Sequence, residues 1–351
     1  MDGSLLKELF HLNKPKINPF QIIGSGLCMF TVLFTGYFLD NMAIASFGSF
    51  GIFVFLYYHH LPLKNLLLRL SAIGLFVFVS FLLGLLSTHV SWLAPLVVSI
   101  IAFTGRVFFR LYNITKPGVF FGVMVAAMGT SINIPLSVLP SSALYFFLGI
   151  VLSLIMATLV HFTEKTPAKP VPKISISNRL SNDPAVILDG IFYGGMLFFA
   201  VYLSQGLQLT NPYWMVVSTA AVLQGDNLRA MLHRNIQRIL GTIIGLGLSA
   251  LLLNLPLTTV QTLLTITVLY VIVEITVRTN YAVANFFITP MSLMLASLIK
   301  HQYMIPLLPD RFIGIVLGGV LGLFAAWIMT VGLEFYNKEF DLHENLDKES
   351  D

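Results

Sequence analysis

The chain has 351 residues, of which 56% are hydrophobic and only 10% charged, with a mean hydropathy of +0.85 and a formal net charge of +4. A soluble domain carries about 25% charged residues, so composition excludes an ordinary soluble protein. It points to an all-α integral membrane protein with the lipid bilayer as its solvent. The basic balance does not indicate a nucleic-acid partner, because Lys and Arg sit in short segments between apolar runs. The single cysteine, Cys28, lies inside such a run, which rules out an intrachain disulfide.

Met1 to Asn18 is polar and mixed in charge, and reads as a cytoplasmic N-terminus rather than a cleaved leader. At about 20 apolar residues per crossing, helices are predicted over 20–39, 42–58, 66–87, 91–105, 117–132, 140–162, 187–205, 212–224, 236–254, 257–276, 281–298 and 311–334. The fourth, fifth and eighth are short for a lipid-facing helix and are expected to be partly enclosed by neighbours. The runs are too long and too uniformly apolar for the alternating strands of a barrel. Asp40 and Asn41 form a tight turn expected to cap the second helix. The adjacent His59 and His60 point apart on a helix and do not make a metal pair, and His233 reads as a solvated loop residue. Thr163 to Asp183, with Pro167, Pro170 and Pro172, reads as an extended cytoplasmic linker. The charged tail after Glu334 is expected to lose order beyond Phe340.

Positive charge tests this count. With twelve crossings, every Lys and Arg except Lys300 and Arg311 falls on one side. Lys and Arg mark the cytoplasmic side because they resist translocation, so both termini are expected in the cytoplasm. The expected organisation is a first six-helix repeat over 1–165, a linker over 166–186, a second repeat over 187–335 and a tail over 336–351. An offset of 168 residues places Arg110 on Arg278 and Tyr112–Asn113 beside Asn280–Tyr281. Six is even, so both repeats insert the same way and are related by a two-fold axis along the membrane normal.

Two clusters could carry chemistry. Pro212, Tyr213 and Trp214 open a short apolar run, followed by Arg229, Arg234 and Arg238 and then by Gly241, Thr242 and Gly245. Guanidiniums stay charged and fork onto carboxylates, so these arginines could gather an anion at a mouth between helices. The same residues also fit a plain inward-facing loop, and the glycines fit close helix packing. The second cluster is Glu274, Arg278, Asn280, Tyr281, Asn285 and Pro290. Glu274 and Arg278 are four apart and can pair on one helix face, or the carboxylate could carry a coupling proton. The matching place in the first half holds Arg106, Arg110, Tyr112 and Asn113. No nucleotide, metal-ligand, nucleophile or dinucleotide motif is present, so no cofactor and no enzyme activity is expected.

The run from Asn211 to Gly245, with Tyr213–Trp214, Arg238, Gly241–Thr242 and Gly245, resembles the fusaric acid resistance protein-like membrane domain of the aromatic acid exporter group. Arg278 to Leu295, with Asn280–Tyr281 and Thr289–Pro290, resembles that family's second recurrent stretch. The resemblance covers roughly 185–335 and is topological only across 1–165. It implies export of small organic anions, aromatic carboxylates above all, across a bacterial cytoplasmic membrane by potential or proton gradient. The substrate-binding residues would be Arg229, Arg234, Arg238, Arg278, Arg106, Arg110, Asn280, Tyr281, Tyr213 and Trp214, with Glu274 as a coupling acid. Many members also carry a sizeable cytoplasmic domain absent from this sequence, which leaves room for a partner that supplies it. A passive anion channel and a non-transporting envelope scaffold stay open, as does a homo-oligomer.

Overall fold

The computed structural model describes residues 18–90, 92–114, 117–164, 176–183, 185–225, 227–300 and 307–350. Among them there is no strand. Nine helices are long and apolar enough to cross a membrane: α1 (Pro19–Phe38), α3 (Leu63–Ser87), α4 (Leu93–Leu111), α6 (Leu139–Thr163), α8 (Val186–Gly206), α10 (Leu228–Leu253), α11 (Thr259–Thr279), α12 (Tyr281–Lys300) and α13 (Leu307–Ser350). Three apolar helices are shorter: α2 (Met42–Gly51, continued by a 3-10 turn over Ile52–Tyr57), α5 (Phe120–Gly129) and α9 (Tyr213–Val222). The small helix α7 (Ile176–Asn182) lies in the linker, and the linker stretch 165–175 falls outside the described residues.

Local chemistry sets the helix ends. The Asn18 side chain accepts from Phe20 N at 2.9 Å and Pro19 opens α1, where a missing N–H costs nothing. Asn41 caps α2 as expected, accepting from Ala43 N at 3.2 Å. Asn227 caps α10, and Thr258 with Gln261 forms a reciprocal capping box on α11. Asp40 and Gln208, 168 residues apart, leave α1 and α8 in the same left-handed conformation, with φ of 49° and 51°.

Several ends differ from the sequence expectation, for one reason. The fourth helix reaches Leu111 instead of stopping at 105, α10 starts at Leu228 instead of 236, and α11 includes Arg278. A hydropathy reading stops at a charge, but a helix continues through an arginine that has partners. So Arg106, Arg110, Arg229, Arg234, Arg238 and Arg278 all lie on helices, not in loops. The fourth helix is therefore not short, whereas the fifth and eighth are. The last helix also runs on to Ser350, past the expected end, through a Glu-, Lys- and Leu-containing segment of good helix formers.

The packing has a repeated plan. In the first six helices α1 packs on α2 and α6, α2 on α6, α3 on α5 and α6, and α4 on α5. In the last six α8 packs on α9 and α13, α9 on α13, α10 on α12 and α13, and α11 on α12. The two sets meet through α4 with α8 and α11 with α1, and through α5 with α9 and α12 with α2. Glycines close the seams: Gly26 of α1 abuts Val271, and Gly194 of α8 abuts Phe103. Both glycines and both partners are separated by 168 residues (26 to 194, 103 to 271).

Without a hydrophobic drive between helices in lipid, such close backbone contact supplies the packing energy. At Gly51 a Cβ would meet only backbone atoms, Phe146 O, Ile150 N and Gly149 Cα of α6, none of which can give way. Gly51→Ala should therefore cost about 1–3 kcal/mol through overpacking. Gly195→Ala, with nothing within 4 Å of the new methyl, should cost nothing. Unfolding midpoints of the two variants in one detergent check the contrast.

Candidate functional site

The site forms around α9, whose ten residues from Tyr213 to Val222 are all buried. A ten-residue helix is too short to span a bilayer, so its ends must be satisfied by protein. At its start Asn211 Nδ2 donates to Asp310 Oδ2 at 2.8 Å. Along its length Gly314, Gly318 and Gly322 of α13 bring that helix against Trp214, Met215 and Val222. Ser218 and Thr219 donate to the carbonyls of Ile315 and Gly318 at 3.0 and 3.1 Å. At its end Arg234 Nε donates to the Ala221 carbonyl at 2.7 Å and Arg234 Nη2 to Gln224 Oε1 at 3.1 Å. A cation on the last carbonyls of a helix is favoured by the helix dipole.

Arg238 lies one turn further along α10 and is 3% exposed. Its Nε donates to Ser218 Oγ at 3.2 Å, and its Nη1 to Tyr281 Oη at 3.0 Å and Asn285 Oδ1 at 3.4 Å. The position follows from Gly241 and Gly245, which press α10 against Ala282, Asn285, Phe286 and Thr289 of α12. The Gly245 contact falls on the Phe286 carbonyl, which Pro290 cannot bond as N–H donor. The Arg234 guanidinium stacks 3.9 Å from the centre of the Tyr281 ring.

Every partner of Arg238 is a neutral group, and no carboxylate among the described residues forms an ion pair with it. A buried charge costs several kcal/mol unless it is paired, and arginine does not escape by losing its proton. On the same face of α10, the buried Thr242 hydroxyl has no hydrogen-bond partner and is free to donate, while the unpartnered Asn235 Oδ1 is an acceptor. The arrangement is a cationic, hydrogen-bonding interior that is short of an anion.

The structure adds one residue that the sequence reading set aside as a charge on the wrong side. Arg311, in the first turn of α13, is 4% exposed, and its guanidinium sits 5.4 Å from the Trp214 ring centre. Its Nε is buried without a partner. The one signal for it in the sequence was an arginine opening an apolar run where Lys and Arg are otherwise scarce.

The predicted residues separate into two groups. Arg234, Arg238, Tyr213, Trp214 and Tyr281 converge on α9, while Arg229 is exposed in the first turn of α10. Asn280 serves as the cap of α12, accepting from Ala282 N at 2.8 Å and Val283 N at 3.2 Å. The remaining residues go to the seams between the two helix sets. Arg106 binds Asp189 of α8 with Nε at 2.8 Å, and Arg110 binds Asp189 at 2.9 Å and Asp183 at 2.5 Å. Across the other seam Arg278 pairs with Glu274 and reaches Gln21 of α1 at 3.4 Å. Burial pushes the nearby His59 imidazole below its ordinary range, and Arg69 and Arg278 push it the same way. Offsets of 168 relate Arg106 to Glu274, Arg110 to Arg278 and Gln21 to Asp189. These arginines act as staples between helices, and among the described residues no hydrogen bond or ion pair joins them to the α9 cluster.

Residues 197–325 match the model of the fusaric acid resistance protein-like family, a stretch that contains α9 and every residue of the Arg238 cluster. The uncharacterized membrane protein YvaC of Bacillus subtilis (strain 168) is 31% identical over 147 residues, which is 40% of this chain and 23% of that protein. The matched segment thus spans under a quarter of that relative's length. No solved structure matches the chain.

Asp189, 1% exposed, holds two arginines, and Asp189→Asn would leave Arg106 without its acid while Arg110 keeps Asp183. Breaking a buried pair from one side costs about 3–5 kcal/mol, so D189N should unfold well before the wild type in a detergent melt. Adding Arg106→Gln should recover part of the loss, because it removes the stranded cation.

Proposed function

We propose that this protein moves small organic anions, aromatic carboxylates foremost, outward across a bacterial cytoplasmic membrane. The observation that carries this reading is Arg238, buried among Ser218, Tyr281 and Asn285 with no acidic partner. A carboxylate entering there would form charge-assisted hydrogen bonds and neutralise a charge the fold leaves uncompensated. Tyr281 beside it, and Tyr213 and Trp214 further along α9, offer aromatic surfaces that suit a planar ring. The family description supports the same class, since fusaric acid is itself an aromatic carboxylic acid.

The repeated packing plan and the 168-residue offsets support two parallel six-helix repeats of twelve helices, with both termini in the cytoplasm. In that orientation Arg229 and Arg234 draw anions from the cytoplasmic side toward Arg238. An inside-negative potential then drives a monoanion outward with about 2.3 kcal/mol per 100 mV. Glu274 is occupied by Arg278 at a seam, so the drive is assigned to the potential rather than to that carboxylate.

The test is benzoate flux in proteoliposomes, with potential and pH gradient imposed separately. Potential alone should drive wild-type flux at symmetric pH. Arg238→Gln, recovered folded, should lower flux more than about tenfold, equivalent to ~1.4 kcal/mol. Undiminished flux in R238Q would remove Arg238 from the site.

A further inference from the structure

We propose that Arg311 is a second anion-binding station, so that a carboxylate leaving Arg238 passes lengthwise along α9 inside the C-terminal helix set. This rests on the transport reading and adds the route. Three guanidiniums mark successive levels of the same short helix: Arg234 at the Ala221 carbonyl, Arg238 at Ser218 and Arg311 at the Trp214 ring. At 1.5 Å per residue, the Ser218 and Trp214 levels lie roughly 6 Å apart along the axis. That is one helical turn, short enough for an anion to be shared between two sites during transfer.

Arg311 has the properties of a waiting site. It is nearly fully buried, its Nε has no hydrogen-bond partner, and no described carboxylate forms an ion pair with it. The adjacent Asp310 is bound instead by Asn211. Arg238 and Arg311 are close enough to repel each other across this interior, with Tyr213 and Tyr281 beside them. Two like charges facing one interior are each relieved by an anion between them. Conduction needs sites that bind well enough to admit the ion and are multiple enough to release it. A pair of uncompensated arginines one turn apart meets that requirement, and a lone Arg238 would hold its ligand.

The aromatic covering of Arg311 gives a direct readout. The chain's three tryptophans are Trp92, Trp214 and Trp327, and the first and last are exposed, so the W92F/W327F background isolates Trp214. In that background, in detergent and in proteoliposomes, benzoate should change Trp214 emission, whereas the neutral isostere benzamide should not. Arg311→Gln should abolish the response and lower maximal benzoate flux about tenfold, the loss expected of one charge-assisted contact. Its half-saturating benzoate concentration should stay near wild type, because entry at Arg238 is intact. Arg311→Lys, which keeps the charge, should retain both response and flux.

Wild-type flux and wild-type Trp214 response in R311Q would overturn the proposal. So would a folded R311K as inactive as R311Q, which would make the role one of packing. If R311Q is not recovered folded, the parent decides: no response to benzoate, or an equal one to benzamide, overturns the station. Loss of flux in R238Q with normal flux in R311Q removes only the second station. Normal flux in both removes both stations, and absence of benzoate flux in the wild type removes the transport reading itself.

Discussion

A buried guanidinium held by neutral groups organises the second half of this protein. The partners of Arg238, Ser218, Tyr281 and Asn285, supply dipoles but no charge. Each of those partners is placed by a separate device. Ser218 is fixed by α9 packing on α13, while Tyr281 and Asn285 are brought in by glycines that let α10 and α12 touch. The glycine pattern is thus a packing device first, and through packing it sets the geometry of the site.

The two helix sets share a packing plan but not a chemistry. In the first set, α3 buries Leu66, Leu70, Ile73 and Val77 with Ser80 and Ser87, and α2 buries Phe47 and Phe50 with Ser46 and Ser49. In the second, the corresponding helix α10 buries Asn235, Arg238, Thr242 and Ser249, and α9 buries Ser218 and Thr219. Both interiors hold buried hydroxyls, and among the described residues the second is the more polar one, adding buried asparagine and arginine. The family match falls on the more polar one.

Much of the fold was legible because lipid imposes one rule: apolar runs of helix length must be helices. That rule located every membrane-length helix described here. It misplaced helix ends wherever a charge lay inside a helix, since hydropathy cannot see Asp189 neutralising Arg106 and Arg110 from 79 or more positions away. The site was legible in part. Tyr213, Trp214, Arg234, Arg238 and Tyr281 were found from local pattern, and they do converge. Arg106, Arg110 and Arg278 carry the same side chain in equally suggestive surroundings, and only the position of an acid separates staple from site. Arg311 was hidden by the charge-bias argument, which explains an arginine by the side it falls on and has no place for one buried within the protein.

The seam staples have a consequence for how the chain assembles. Across one seam two arginines of α4 meet Asp189 of α8 and the nearby Asp183; across the other, the single arginine of α11 is matched by its own Glu274 against the neutral Gln21 of α1. Each seam is neutral only in this combination. Two copies of the first half would set Arg106 and Arg110 against Gln21, with no acid to meet them. Two copies of the second would bring Glu274 against Asp189, with one arginine between two carboxylates. Like-charge juxtaposition in a buried seam is a penalty against the wrong partner. The charges of the two seams thereby favour pairing of unlike helix sets over like ones.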